Sequence, residues 1–257
     1  MKMLIIVTTF IINSIYVANA SSFDHSHSNW TAILKNNVVF KGNSSSVNYS
    51  DLKQTPGPLN LYLQSLESVS MSEFSTFNES QKLAFLINTY NAFTIKLIID
   101  HYPVKSIKDI GSVFSSPWKK KFFKLFNEEI SLDQIEHNKI RNHFKEARIH
   151  FALVCASKGC PALLNEAYIA TKLHQQLENS SKLFLRDLSR NQFNKEKLTL
   201  ELSPIFKWYG EDFKKYYGSI KEFIANLMYD DRSIQELIKN NKTEVKFTDY
   251  DWSLNEK

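Results

Sequence analysis

Both cysteines of this 257-residue chain lie in one short stretch whose residue types could carry nucleophilic chemistry. An apolar run ends there in a polar turn, and the whole stretch reads Arg148-Ile149-His150-Phe151-Ala152-Leu153-Val154-Cys155-Ala156-Ser157-Lys158-Gly159-Cys160-Pro161. The run predicts a buried strand over residues 148–155, broken by the glycine and proline that follow. Because functional side chains often lie in loops that follow such elements, we expect a candidate site at this strand end.

Cys155 is the candidate nucleophile of that site. A thiol has a pKa of about 8.5 and needs an imidazole or a helix N-terminus beside it to be ionised at neutral pH. Alternation along a strand places His150 and Cys155 on opposite faces, so His150 is the base only if a bulge re-aims one of them. His137, from the preceding predicted helix, is then the better-placed base. Glu136, its neighbour in the chain, is a candidate to orient the imidazole.

Two asparagines, Asn88 and Asn91, share one edge of a predicted buried helix. A buried amide without hydrogen bonds costs about 1–3 kcal/mol, so both must have partners. Either they clamp neighbouring backbone, or one of them serves catalysis as an orienter or as a donor to a developing oxyanion. We take Asn88 as the catalytic candidate of the two.

Other polar residues are candidates for binding a substrate. Arg141 shares a helix face with His137, four residues away, and Lys207 lies with Asp212 among aromatic residues, where packing and a salt bridge are the alternative. The substrate-binding candidates are Asn91, Arg141, Ser157 and Lys207. The expected ligand is a small molecule or a peptide.

The cysteine pair has a second interpretation, a structural disulfide between Cys155 and Cys160. Two cysteines in an exported protein normally form one bridge, provided that the turn brings their Cα atoms within about 4.4–6.8 Å. The spacing is C-x4-C rather than C-x-x-C, and it is not the spacing of a zinc motif, which makes redox and metal roles less favoured. We expect no metal and no cofactor.

The chain begins with the features of a secretory signal peptide. Met1-Lys2-Met3 precedes an apolar run from Leu4 to Val17, and Ala18-Asn19-Ala20 fits a cleavage site after Ala20. The run is shorter than the roughly 20 residues of a membrane helix, although an uncleaved anchor is the alternative. We therefore predict an exported protein, periplasmic or secreted, without stable membrane insertion after cleavage. Its net charge of +5 comes from scattered basic residues, which argues against nucleic acid as a partner.

The elements that must position these residues predict an α+β fold. The apolar residues of 79–102 wrap almost the whole helix circumference, so this helix, with Ser80 as its cap, should be central and buried. Ser131 and Gln134 form a capping-box pattern that opens the helix carrying His137. An amphipathic helix over 167–188 and strands over 198–202 and 245–252 follow. We expect one helix-rich domain over 21–257, with a small, mainly antiparallel sheet that contains 148–155 and the C-terminal strand.

Together these landmarks resemble the domain-of-unknown-function 547 family. The resemblance covers about residues 24–256 and rests on these motifs: Ala84-Phe85-Leu86-Ile87-Asn88-Thr89-Tyr90-Asn91-Ala92, Leu132 to Arg141, Arg148 to Pro161, Glu166-Ala167-Tyr168, Ile205-Phe206-Lys207-Trp208-Tyr209 with Asp212-Phe213, and Tyr250-Asp251-Trp252-Ser253-Leu254-Asn255. One departure is Asn127-Glu128, where similar sequences often have a Gly-rich turn. The resemblance implies an exported bacterial protein. Because the family name assigns no activity, the resemblance gives the motif residues no roles.

Two functions of different classes fit these residues. The first is a cysteine-dependent hydrolase or transferase that acts on an amide, peptide or thioester bond, because thiol, imidazole, orienter and buried amide are all present. The second is a non-catalytic exported binding module, in which Cys155 and Cys160 form a structural bridge and the other polar residues form a buried network. The sequence predicts no oligomeric state.

Overall fold

The helix Glu79–His101 is the element around which most of the chain packs. A computed structural model describes residues 22–112 and 115–257, and 16 of the 23 residues of this helix are buried, as its apolar circumference predicts. The cap is Asn78 rather than Ser80. The Asn78 side chain accepts from the Gln81 backbone, and the Gln81 side chain accepts in return from the Asn78 backbone.

Helices make up most of the described chain. The α-helices are α1 (Ser28–Asn37), α2 (Tyr49–Gln54), α3 (Gly57–Glu67), α4 (Met71–Thr76), α5 (Glu79–His101), α6 (Leu173–Leu185), α7 (Ile205–Trp208), α8 (Gly210–Tyr217), α9 (Ile220–Met228) and α10 (Arg232–Lys239). Three short 3-10 helices and one π-helix add to them: Ile107–Ile110, Pro117–Lys119 and Ala147–Phe151 as 3-10 helices, and Gln134–Arg141 as the π-helix. The predicted amphipathic helix over 167–188 is thus shorter than expected and begins at Leu173.

Within the described residues, the strands form three small sheets rather than one. The strands are β1 (Val38–Lys41), β2 (Ser44–Val47), β3 (Phe123–Leu125), β4 (Glu128–Ile130), β5 (Gln192–Asn194), β6 (Thr199–Leu202) and β7 (Glu244–Phe247). The first four pair as antiparallel hairpins, and in the third sheet β6 pairs antiparallel with β5 and parallel with β7. The α+β class and the mainly antiparallel pairing are confirmed. The prediction of a single sheet that contains residues 148–155 is wrong.

The predicted strand over 148–155 is a 3-10 turn followed by irregular chain. An unbroken apolar run of this length fits a buried turn as well as a buried strand, so its periodicity does not separate the two. The turn also lies between two hydrophobic clusters. Ile149 and Ala152 face the cluster around α5, whereas Phe151 packs with Phe184, Phe206 and other aromatic rings of the C-terminal helices.

Two further expectations concern the chain termini. The predicted C-terminal strand over 245–252 is confirmed only for 245–247, which lie in β7 (Glu244–Phe247), and the residues after Phe247 are not in a strand. The predicted signal peptide, residues 1–20, lies outside the described residues. Over 22–112 and 115–257, no helix combines the length and the apolar character that a membrane span requires.

Candidate functional site

Cys155 lies immediately before a sharp backbone turn. Ala156 has φ 57°, a left-handed conformation that is uncommon for a residue with a Cβ atom. Such conformations persist where the surrounding structure imposes them, and they concentrate at functional sites. Here Asn255 contributes to the constraint, because its backbone N–H donates to the Ala156 carbonyl at 3.2 Å.

The Cys155 sulfur lies among three polar partners. Its Sγ lies 2.9 Å from Cys160 Sγ, 3.0 Å from Ser157 Oγ and 3.1 Å from the Tyr250 hydroxyl. The two cysteines are present as unbonded thiols. Both cysteines line the neighbouring cleft, but Cys160 is 4% exposed and Cys155 is the more accessible of the two.

These partners favour the ionised form of Cys155. Burial alone raises the pKa of the Cys155 thiol, but hydrogen bonds from Cys160, Ser157 and Tyr250 to the thiolate outweigh it and lower the pKa to about 7. Burial and the neighbouring Cys155 raise the pKa of the Cys160 thiol well above its usual value. The two sulfurs therefore differ in character, and Cys155 is the one suited to act as a nucleophile.

The C-terminal segment 250–255 holds this loop in place. The backbone N–H of Lys158 donates to Ser253 at 2.8 Å, and that of Gly159 donates to Asp251 at 2.8 Å. A Cβ atom on Gly159 would lie 3.0 Å from two ring carbons of Tyr250, so a glycine allows this close approach. The same contacts position the Tyr250 hydroxyl against the Cys155 sulfur.

Both buried asparagines clamp backbone, as one of the two interpretations expected. Asn91 donates to the Ala152 carbonyl at 2.8 Å and accepts from the Val154 N–H at 3.0 Å, which fixes the chain just before Cys155. Asn88 makes the same pair of bonds to the backbone of Tyr168, at 2.7 and 3.0 Å. Neither side chain lines the cleft beside Cys155.

His150 is held by a carboxylate that comes from a distant part of the chain. Its Nε2 lies 2.8 Å from Asp212 Oδ2, and its ring stacks on Tyr209 with centroids 3.8 Å apart. Asp212 also receives a two-pronged contact from Arg141, at 2.7 and 3.0 Å. Burial lowers the pKa of His150 below its usual value although Asp212 opposes the shift, so the imidazole is neutral at neutral pH.

His137 is less suited to act as a base than the strand argument suggested. Its Nδ1 lies 2.8 Å from Arg141 Nη1, which can only donate, and its Nε2 lies 3.6 Å from Asp133. Both ring nitrogens therefore already face charged groups. His150 lines the same cleft as His137 and Cys155, because the chain between His150 and Cys155 is a turn and not a strand.

The remaining predicted residues divide between the cleft and its support. Glu136 lines the cleft and is 7% exposed. Arg141 binds Asp212 and Ser157 binds the Cys155 sulfur, so both support the site rather than face a ligand. Lys207 is exposed and is not among the residues that line the cleft.

The cleft has a volume of about 230 Å³, and aromatic side chains form much of its wall. The aromatic residues that line it are Tyr90, Trp118, Trp208, Tyr209, Tyr250 and Trp252. Trp208 is 47% exposed and stacks on Trp252 with centroids 5.7 Å apart. Among the described residues, no group of three or more His, Cys, Asp or Glu side chains could hold a metal ion.

Sequence reasoning missed the roles of Asp212 and Tyr250. The residue types around Asp212 predict only a substrate-binding or salt-bridge role, and the alternation around Tyr250 predicts only a strand. Both lie in motifs that carry the family resemblance, and that was the only available signal, because their contacts with His150 and Cys155 span 62 and 95 positions of the chain.

Residues 74–185 match the model of a family described as "Protein of unknown function, DUF547", which confirms the resemblance for this segment. The matched segment contains helix α5, His137, His150 and the cysteine loop, whereas Asp212 and Tyr250 lie beyond its end. No curated protein and no solved structure matches the chain.

Proposed function

We propose that this chain, whose residues 74–185 match the model of the DUF547 family, is an exported cysteine-dependent hydrolase or transferase. The bond it acts on is an amide, peptide or thioester bond. The observation that carries the proposal is the environment of Cys155, whose sulfur has three hydrogen-bonding neighbours and opens onto the same cleft as the His150 imidazole.

The chemistry requires a nucleophile, a proton carrier and a group that orients the carrier. The Cys155 sulfur attacks the carbonyl carbon, and the thiol proton passes to His150. The bond from the carbonyl carbon to the leaving nitrogen or sulfur breaks, and His150 returns the proton to that leaving group. Water, or an acceptor amine, then releases the acyl group from Cys155 with His150 as the base.

Asp212 supplies the orientation in this scheme. Its carboxylate holds Nε2 of His150, so Nδ1 is the ring nitrogen available to a substrate. Within the described chain no hydrogen bond joins Cys155 to His150. In enzymes without bound substrate such contacts are often long and become shorter in the complex.

Labelling of the reduced protein tests the nucleophile. The protein is treated with iodoacetamide at pH 7, and the modified residue is located by peptide mass. We expect Cys155 to react first, Cys155→Ala to lose the fast adduct, and Cys160→Ala to keep it. Equal labelling of the two cysteines would refute a special role for Cys155.

Turnover of a small thioester tests the reaction itself. Released thiol is measured, and the acyl adduct on Cys155 is trapped by acid quenching and detected by intact mass. We expect His150→Ala to slow acyl transfer about 10²- to 10⁴-fold, the usual contribution of a general acid–base. Turnover that persists in Cys155→Ala would exclude the proposed mechanism.

The second candidate function, a binding module with a structural bridge, has one specific observation in its favour. The two sulfurs are 2.9 Å apart, so oxidation could join them without a large backbone movement. A thiol count on protein recovered from the exported fraction, without added reductant, separates the two. Two reactive thiols support the enzyme, and none supports the bridge.

A further inference from the structure

Acidic side chains line the cleft beside Cys155. Two carboxylates line it, those of Asp133 and Glu136, and the residues lining it include neither lysine nor arginine. The chain as a whole has a net charge of +5, so the sign of the cleft is opposite to that of the protein. Clefts of one sign concentrate ligands of the other.

Of the two carboxylates, Glu136 gives the stronger evidence for a cationic ligand, because it is buried. It is 7% exposed, and within residues 22–112 and 115–257 it forms no ion pair. The nearby guanidinium of Arg141 attracts Glu136 through its charge, but its hydrogen bonds to a carboxylate go to Asp212. The partner of Glu136 is the Tyr209 hydroxyl, whose pKa is raised by burial and then by the Glu136 carboxylate. Buried carboxylates normally have a cationic partner, and this one has a place for it in the cleft.

Neither histidine of the cleft supplies that charge. His150 is kept neutral by its burial, which lowers its pKa. His137 accepts a hydrogen bond from Arg141 at Nδ1, which requires the unprotonated form of that nitrogen.

Aromatic faces complete the cation-binding character of the cleft. Ring faces attract ammonium groups, and aromatic residues combined with carboxylates form the usual boxes for such ligands. One ring of the cleft already shows the interaction, because Lys108 Nζ, from outside the cleft lining, lies 3.8 Å from the Trp252 ring centroid. Trp208, stacked beside Trp252 and 47% exposed, offers a further ring surface next to it.

We infer that the substrate carries a positively charged ammonium group, which binds between the Glu136 carboxylate and the aromatic wall while its acyl carbon meets Cys155. This inference rests on the proposed function, since it describes the specificity of the same site. The substrate class is therefore an amide, peptide or thioester with an amine or quaternary ammonium group near the reacting bond.

Three methanethiosulfonate reagents that differ in charge provide the test. They carry a trimethylammonioethyl, a methyl or a sulfonatoethyl group. In each reaction Cys155 forms a disulfide bond with the divalent sulfur of the thiosulfonate, the bond from that sulfur to the sulfonyl group breaks, and methanesulfinate leaves with the electron pair. The thiol proton goes to solvent. The experiment uses Cys160→Ser protein, so that the second thiol cannot resolve the product, and intact mass follows the rate.

The cationic reagent should react at least about tenfold faster than the anionic one, after both rates are divided by those of a neutral cysteine derivative. Glu136→Gln should reduce this ratio several-fold, and Asp133→Asn, at a more exposed position, should reduce it less. Glu196→Gln removes one exposed carboxylate outside the cleft and is the matched control, with the ratio unchanged. Trp252→Ala should slow the cationic reagent alone.

The outcomes separate this inference from the function on which it rests. A ratio equal to that of the cysteine derivative, or one that Glu136→Gln and Asp133→Asn leave intact, overturns the ammonium preference even if Cys155 reacts fast with the neutral reagent. Slow reaction with all three reagents, at the rate of an ordinary buried thiol, overturns the nucleophile proposal itself.

Discussion

Asp212 Oδ2 lies 2.8 Å from His150 Nε2, and this contact joins two parts of the chain that are 62 residues apart. Burial raises the pKa of Asp212, but the hydrogen bonds from His150 and Arg141 and the positive charge of Arg141 outweigh it and hold the pKa below its usual range. The carboxylate is therefore ionised at neutral pH and accepts the Nε2 proton of His150. That contact fixes the tautomer in which Nδ1 is the basic nitrogen.

Replacing Asp212 by asparagine should impair the chemistry more than the fold. The amide keeps the size of the side chain but no longer selects the tautomer of His150, so we expect thioester turnover to fall about 10²-fold or more. Loss of the charged contact with Arg141 should lower the free energy of unfolding by about 1–3 kcal/mol. Turnover and urea unfolding measure the two effects.

Asp231→Asn is the matched control for that substitution. Asp231 is an exposed N-cap residue whose side chain accepts from the Ser233 backbone, and asparagine caps helices equally well. Both turnover and stability should stay unchanged. If Asp212→Asn behaved in the same way, His150 would not depend on Asp212 and the acid–base assignment would fail.

The Tyr250 hydroxyl should set the pH at which Cys155 becomes reactive. Only the thiolate is nucleophilic, so the alkylation rate rises as pH increases through the thiol pKa, which is lowered to about 7. Tyr250→Phe removes one donor to the thiolate and should move this midpoint to higher pH. At pH 7 the rate should then fall about two- to tenfold.

A pH profile of iodoacetamide labelling over about pH 5 to 10 measures the midpoint. Tyr229→Phe removes a tyrosine hydroxyl elsewhere in the C-terminal part and is the control, with an unchanged profile. A midpoint that stays in place, or moves to lower pH, in Tyr250→Phe would show that the hydroxyl does not stabilise the thiolate.

Structural features that depend on a local sequence pattern could be predicted, whereas contacts between residues far apart in the chain could not. Helix α5 was predicted correctly because apolar residues surround it on every side, and the capping box of Ser131 and Gln134 is present as expected. The error at 148–155 has a local cause, since an apolar run does not reveal its period. The predicted strand would place His150 and Cys155 on opposite faces. The observed turn places both of them in the wall of one cleft.

The C-terminal segment shows the other kind of limit. Alternation over 245–252 predicted a strand, but only 244–247 pair with β6, and the backbone groups of Asp251 and Ser253 bond to the cysteine loop instead. These partners are about 90 residues away in the chain, and no local rule of alternation or propensity encodes them. The position of Tyr250 at the Cys155 sulfur follows from those bonds.

Alanine substitutions of Asn88 and Asn91 should both lower stability, but only the one at Asn91 should also lower the reactivity of Cys155. Substitution of either by alanine leaves a backbone N–H and a carbonyl without a partner, which should cost about 2–5 kcal/mol in the free energy of unfolding. Asn91→Ala frees the chain just before Cys155, so labelling of Cys155 should also slow. Asn88→Ala acts on the distant Tyr168 and should leave labelling unchanged.

Thioester turnover provides the decisive comparison for Asn88. If this amide donated to an oxyanion, as one sequence interpretation held, Asn88→Ala would reduce turnover about 10²-fold at a temperature where the variant is still folded. We expect turnover per folded molecule to stay within a factor of about two. Circular dichroism at the assay temperature establishes the folded fraction.

Gly159→Ala should disturb the site through the Tyr250 ring and not through backbone strain. The added Cβ atom would lie 3.0 Å from two ring carbons of Tyr250 and 3.1 Å from the Asp251 nitrogen, so the C-terminal segment must shift. Overpacking of this kind typically costs about 1–3 kcal/mol. The shift should also weaken the hydroxyl contact with Cys155, and the labelling midpoint should move to higher pH as in Tyr250→Phe.

Gly57→Ala is the matched substitution in a place with room, because no atom lies within 4 Å of the added Cβ. It lies in the first turn of α3, where alanine should be neutral or stabilising by up to about 1 kcal/mol.

In the double variant Gly159→Ala and Tyr250→Phe, the hydroxyl is already absent, so the two shifts in labelling midpoint should not add. Fully additive shifts would show that Gly159 acts on Cys155 by a route other than Tyr250.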